Sequence, residues 1–133
     1  MTSIVVDASI AASWLFEDER GERSAAALTA LENTVGLVPQ LWHYEMRNLM
    51  LTAARRGRLS PTEAVMRVRG LANLPLEIDG TPDLQATFDL SVKHDLTFYD
   101  GLYLELACRR RAALATMDRR LLAAAQAEGV AWD

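Results

Sequence analysis

Asp100 is the residue of this sequence that a plain structural reading explains least. It lies in HDLTFYDGLYLELACRR, residues 94–110, which reads as a helix entered from a turn with Thr97 as its N-cap. At about 100° per residue, Asp100 shares a helix face with Tyr103, Leu104 and Ala107. A carboxylate on an apolar face is costly unless it is paired, protonated or bound to a metal. No basic residue stands one turn from it on that face. Glu105, on another face and four residues before Arg109, reads as an ordinary surface acid.

Three further acids stand in suggestive places. Asp7 follows Ser3–Val6, a short β-branched run that reads as a buried strand, and Asp118 follows a second such strand over Ala113–Thr116. Parallel sheets bind ligands beyond the carboxyl ends of their strands. Each of the two also has a plainer reading as the N-cap of the next helix, and Ser9 is a further candidate cap. Glu45 lines up with Asn48 and Thr52 in a polar stripe on the helix Leu41–Arg56. Trp42 and Leu49 flank the stripe on one side, Tyr44 and Leu51 on the other, with His43, Arg47 and Ala54 nearly opposite. That pattern describes a lined pocket or, more plainly, a partly exposed Glu among polar neighbours. Asp79 and Asp83 read as turn and first-turn acids, Asp89 and Asp95 as solvated. His43 and His94 have no Cys or His partner at zinc spacing, and neither a Gly-rich phosphate loop nor a G-x-S-x-G elbow is present.

The elements that must position these groups alternate. Helices are expected over Ala8–Phe16, Glu22–Glu32, Leu41–Arg56 with Gly57 just past its end, Ser60 to about Ala72 behind a capping box with Pro61 at N1, Thr81 to about His94, and Leu121–Glu128 before Gly129. Strands are expected at Gly36–Val38 and Leu76–Ile78 besides the two already named, with Val130–Trp132 a fifth strand or a tail. Short apolar strands alternating with helices imply an α/β fold with a central parallel sheet covered on both faces.

A chain of 133 residues is expected to form one domain, 1–133, with a substantial core. Half the residues are hydrophobic and mean hydropathy is near zero, as in a soluble globular protein. Cys108 is the only cysteine, so an internal disulfide is excluded, and beside Leu104 it reads as core. The apolar start, Ile4–Val6, is too short for a signal peptide or membrane span, which points to the cytoplasm. The net charge of −4 argues against a general nucleic-acid coat protein, while leaving room for an enzyme that holds nucleic acid locally.

The order of motifs resembles the PIN-domain nucleases, and most closely the VapC toxins of bacterial toxin–antitoxin pairs. The resemblance rests on Ile4-Val5-Val6-Asp7-Ala8-Ser9, on Tyr44-Glu45-Met46-Arg47-Asn48, on Leu96-Thr97-Phe98-Tyr99-Asp100-Gly101-Leu102-Tyr103-Leu104 and on Ala115-Thr116-Met117-Asp118. It covers almost the whole chain, and the third block is the most specific. Gly101 is a departure, since relatives more often have Ala there. The resemblance implies a three-layer α/β/α sandwich. It places the family's acidic residues on Asp7, Glu45, Asp100 and Asp118 and its frequent Ser/Thr on Ser9. It also implies a homodimer and a small antitoxin partner with a segment near the acidic cleft. Trp14, Leu15, Phe16 and Trp42 offer apolar surface for a partner or, more plainly, core.

Converging carboxylates with no balancing base take up protons or bind a cation, and oxygen-only ligands favour Mg²⁺ or Mn²⁺ over Zn²⁺. The chemistry so implied is metal-dependent hydrolysis of RNA phosphodiesters. Asp7, Asp100 and Asp118 would hold the metal directly or through water. Glu45 would be a ligand or orient the attacking water, and Ser9, Asn48 and Thr116 would support the acids or touch phosphate. Two alternatives stand beside it. An Asp-nucleophile phosphotransferase is disfavoured because Ser9 occupies the place of a second Asp and Lys93 lies in a helix. A non-catalytic PIN-like interaction module would use the acids as caps.

Overall fold

The computed structural model describes residues 2–19 and 21–132, without the side chain of Glu17. Strands β1 (Ser3–Val6), β2 (Val35–Pro39), β3 (Leu76–Asp79) and β4 (Ala113–Ala115) form one sheet in the order β3-β2-β1-β4. Every pairing is parallel, with Val5 opposite Leu37 on one side and Leu114 on the other. Parallel pairing needs a long crossover, and helices supply it. They are α1 (Ala8–Leu15), α2 (Glu22–Ala30), α3 (Gln40–Arg55), α4 (Pro61–Gly70), α5 (Leu84–His94), α6 (Phe98–Arg110) and α7 (Arg119–Ala127). The strands step outward from β1 to β3, and then β4 returns to the far side of β1. The strand order therefore reverses between β1 and β4, which is where an open α/β sheet has its ligand crevice.

The central strands are buried because apolar residues fill both of their faces. Val5, Val6, Leu37, Val38 and Leu114 are at most 1 % exposed, matching the near-continuous apolar runs of a sheet covered by helices. Helix α6 lies against β1, β2 and β4, with α5 and α7 packed beside it. Helices α1 and α2 pack together, and α1 also packs on α3. A smaller cluster of Phe16, Met50, Ala53, Leu59 and Ala64 fills the junction of α3 and α4. Trp14, Phe16 and Trp42 are all buried and Leu15 is half-buried, so the plainer reading of these residues as core holds.

Local signals set most boundaries. Ser60 and Glu63 form the capping box of α4 behind Pro61, and Gly57 and Gly129 take positive φ just past α3 and α7. Other expectations are decided or corrected by the structure. Of the two candidate caps of α1, Asp7 and not Ser9 accepts from the Ile10 N–H. Helix α5 starts at Leu84 rather than Thr81, because Asp83 accepts the Ala86 N–H as its cap. Val130–Trp132, open between strand and tail, makes a single parallel bridge, Ala131 to Leu114. Glu105 is a buried residue, 2 % exposed, and not a surface acid.

Glu105 is accommodated by charge. Its carboxylate takes the Arg109 Nε–H at 2.7 Å and the Asp83 N–H at 3.2 Å. Arg109 then reaches Asp79 with two further hydrogen bonds of 3.0 Å, and Arg110 adds a third at 2.9 Å. Asp79, expected as a turn acid, is buried, and these guanidinium groups hold its carboxyl well below the usual carboxylate range. The cluster ties the edge strand β3 to α6, the helix that carries Asp100.

Candidate active site

The site is built at the carboxyl ends of β1 and β4, at the reversal of strand order. Asp7 ends β1 with its backbone still in the sheet, its N–H donating to the Ala115 carbonyl at 3.2 Å. Its side chain is 4 % exposed and nearly saturated. Oδ1 accepts from Ser9 Oγ at 2.6 Å and from the Ile10 N–H at 3.1 Å, while Oδ2 accepts from Thr116 Oγ1. Thr116 in turn accepts the Asp118 N–H at 3.0 Å, and Ser9 accepts the Met117 N–H at 3.0 Å. One hydroxyl from α1 and one from the end of β4 thus lace the two strand ends together around Asp7.

Helix α6 brings in Asp100. Thr97 caps that helix by accepting the Asp100 N–H at 3.1 Å, so Asp100 sits in the first turn, near enough for its charge to act on Asp7 and to feel that of Asp118. Helix α3 brings in Glu45, whose Oε1 accepts from the Tyr103 hydroxyl at 2.5 Å. Asp118 caps α7, accepting the Leu121 N–H at 2.9 Å. The cap readings of Asp7 and Asp118 are therefore correct, and these same residues also stand beside the other acids.

Three of the four carboxyls are held above their ordinary range. Burial is the first cause in each case. Asp100 adds repulsion at Asp7, Asp100 and Asp7 add it at Glu45, and Asp118 adds it at Asp100. The hydroxyl donors of Ser9, Thr116 and Tyr103 oppose the rise by favouring the ionised acids. Among the described residues, none of the four acids is in an ion pair with a base. Acids held up by burial and by neighbouring acids, beside a cleft, make this the candidate functional site.

A cleft of about 640 Å³ opens beside them, lined by Ser9, Ser13, Glu19, Glu45, Asn48 and Met117 among others. It joins a smaller hollow of about 160 Å³ that shares Leu49 and Glu19 and reaches Thr52, Arg56 and Arg58. The stripe of Glu45, Asn48 and Thr52 thus does face a depression. Of its expected apolar flanks only Trp42 is buried; Leu49, which lines both hollows, is 38 % exposed, and Tyr44 and Leu51 are 61 % and 51 % exposed. Cys108 is half-buried and burial pushes its thiol up, in keeping with a core residue.

The donor set suits a hard cation, being all carboxylate and hydroxyl oxygen with uncompensated negative charge. Among the described residues, no three His, Cys, Asp or Glu side chains stand close enough together to hold a metal ion. Both oxygens of Asp7 are already engaged by hydroxyl donors. The chemistry of the donors, hard carboxylate and hydroxyl oxygens, fits Mg²⁺ or Mn²⁺.

Tyr103 is the site residue the sequence reading passed over. By helical spacing it shares the Asp100 face with Leu104 and Ala107. The phenol at that position was the available signal, because a buried tyrosine hydroxyl needs a partner. Residues 4–127 match the PIN domain. The chain belongs to the PIN-domain family. It is 33 % identical over 121 residues to Ribonuclease VapC3 of Pyrobaculum aerophilum, covering 89 % of this chain and 91 % of that one. The fold is that of the crystal structure of PAE2754 from the same organism, with a TM-score of 0.72 at 24 % identity over 92 % of this chain and 84 % of that one. PIN membership agrees with the sandwich expected from the motifs, a central four-stranded parallel sheet flanked by helices.

Proposed function

We propose that this PIN-domain protein is a metal-dependent endoribonuclease and acts as the toxin of a toxin–antitoxin pair, blocking translation by cutting RNA. One observation carries the reading. Asp7, Glu45 and Asp100 are each held above the ordinary carboxylate range at the β1–β4 reversal, first by burial and then by the charge of a neighbouring acid, and no described base pairs with them. A site that concentrates negative charge without a counter-ion is suited to a cation, and its likeness to a VapC ribonuclease supplies the substrate class.

Asp7, Asp100 and Asp118 would hold Mg²⁺ or Mn²⁺, directly or through water. Such an ion supplies an activated water and neutralises charge on the phosphoryl oxygens. Glu45, raised by burial and by its acidic neighbours, orients the attacking water and accepts its proton. Tyr103 fixes the Glu45 carboxylate from behind. Ser9 and Thr116 hold Asp7 in a single orientation, and Asn48 on the cleft wall contacts phosphate. The RNA substrate enters along the cleft. A small cognate antitoxin covers the acids, the protein forms a homodimer, and it works in the cytoplasm. Among the described residues, no helix is long and apolar enough to cross a membrane.

The test is cleavage of a defined RNA panel by purified protein. Mg²⁺ or Mn²⁺ should support cleavage and EDTA should abolish it. Asp7→Asn and Asp100→Asn should each lose orders of magnitude in rate while remaining folded, with Asp89→Asn as the unaffected control. Full activity in either of the first two variants would sink the assignment. Light scattering at tens of micromolar tests the dimer, and a monomer mass would count against it.

A further inference from the structure

Arg23 of α2 reaches two backbone segments near the C-terminal end of the site. Its Nε–H donates to the Thr116 carbonyl at 3.0 Å, and its NH2 group donates to the Trp132 carbonyl at 2.7 Å. Its guanidinium also stands over the Trp132 ring, 5.4 Å from the centroid. One side chain therefore pins two backbone segments that follow β4, the turn into α7 and the strand-like segment bridged to Leu114.

The turn it grips holds Thr116, a partner of both Asp7 and Asp118. Thr116 is fully buried. Its hydroxyl donates to Asp7 and accepts from the Asp118 N–H, while its carbonyl faces Arg23. We infer that Arg23 is a positioning residue: through the Thr116 carbonyl it fixes the turn that presents the Thr116 hydroxyl to Asp7 and sets Asp118 beside Asp100. Guanidinium is suited to this, since its planar donors reach two carbonyls at fixed spacing, whereas an ammonium is a point donor on a looser stem. The geometric claim stands on these contacts alone, and its catalytic consequence rests on the ribonuclease reading.

The experiment follows the Met117 and Asp118 amides by hydrogen exchange in metal-free protein, because both donate to side chains of this lacework. In Arg23→Ala these two amides should exchange roughly tenfold faster, while amides in β1 and β2 keep wild-type rates, the mark of a local opening rather than a global loss. Arg23→Lys should fall between, recovering one of the two attachments. Trp132→Ala keeps both acceptor carbonyls and should leave the exchange close to wild type. On RNA, Arg23→Ala should lower kcat with KM held, since Arg23 lies outside the residues lining the cleft. Wild-type exchange at Met117 and Asp118 in Arg23→Ala would overturn the inference, and so would uniform acceleration through the sheet. If wild-type protein cuts no RNA with any metal, the ribonuclease reading fails and the exchange data alone decide the role of Arg23.

Discussion

The Tyr103 hydroxyl of α6 donates to Glu45 of α3, joining two helices 58 residues apart in sequence across the acidic site. The bond favours the ionised carboxylate, against the burial that pushes Glu45 up. Tyr103→Phe removes it. Glu45 should then titrate at still higher pH, and the acid limb of the kcat/KM profile should move up with it. Loss of a hydrogen bond to a charged group costs about 2 kcal/mol, visible in urea denaturation at neutral pH. An unshifted acid limb would mean that Glu45 is not the proton acceptor.

Asp100 offers a test that needs no RNA. Burial and the Asp118 charge hold its carboxyl above the ordinary range. The folded protein therefore binds that proton more tightly than the unfolded chain, and ionised Asp100 works against folding. The penalty is absent below the ordinary carboxylate range and grows as pH rises through the folded value. Asp100→Asn should melt higher than wild type in EDTA at neutral pH, and the gap should close as pH falls toward about 4. A gain of ~1 kcal/mol corresponds to roughly 3–5 °C for a domain this size. Saturating Mg²⁺ should narrow or reverse the order, because only wild type gains full binding energy. A variant that melts lower in EDTA, with neither protein responding to Mg²⁺, would make Asp100 structural.

The cluster of Asp79, Glu105, Arg109 and Arg110 carries the opposite sign. The carboxyl of Asp79 is held low, so its contribution is present at neutral pH and is lost only as pH falls through that depressed value. Arg109→Ala leaves two buried acids short of their main partner and should cost about 3 kcal/mol, the low end for breaking a buried pair. Calorimetry at neutral pH measures it. The metal dependence of cleavage should be unchanged, since the cluster touches none of the four site acids.

By propensity alone, Gly101 loosens its helix by about 1 kcal/mol relative to Ala. The packing gives it a purpose. A Cβ there would fall 2.1 Å from Ser91 Oγ and 3.2 Å from the Thr87 carbonyl oxygen, where α5 crosses close to α6. Gly101→Ala should therefore lose about 1–2 kcal/mol despite the better helix propensity, because overpacking outweighs it. In a Ser91→Ala background the loss should shrink. Stabilisation by Gly101→Ala alone would contradict the close approach.

Alternating apolar runs made the parallel sheet legible, and strand-end positions made Asp7 and Asp118 legible, since both follow from local pattern. Asp100 was found by misfit, a charge on a face that had to be buried. Glu105 escaped notice because its helical partner Arg109 suggested an exposed i, i+4 pair, and nothing local signals that Asp79 arrives from an edge strand to complete a buried cluster. The exposure of Tyr44 and Leu51 was hidden for a related reason. Helical periodicity fixes which residues share a face of α3 but not how far its neighbours extend over that face.

The pairing of β1 with β4 also has a consequence in time. Val6 pairs with Ala115, and Asp7 takes its second hydroxyl from Thr116, 109 residues downstream. A chain growing from its N-terminus has β1, Glu45 and even Asp100 in hand before either contact exists. Until residues 113–118 are made, β1 presents an unpaired edge, and Asp7 has only Ser9 and its own helix to orient it. The acidic centre thus waits on residues 113–118: a shorter nascent chain carries three of the four acids yet lacks the β4 pairing and the Thr116 hydroxyl that orient Asp7.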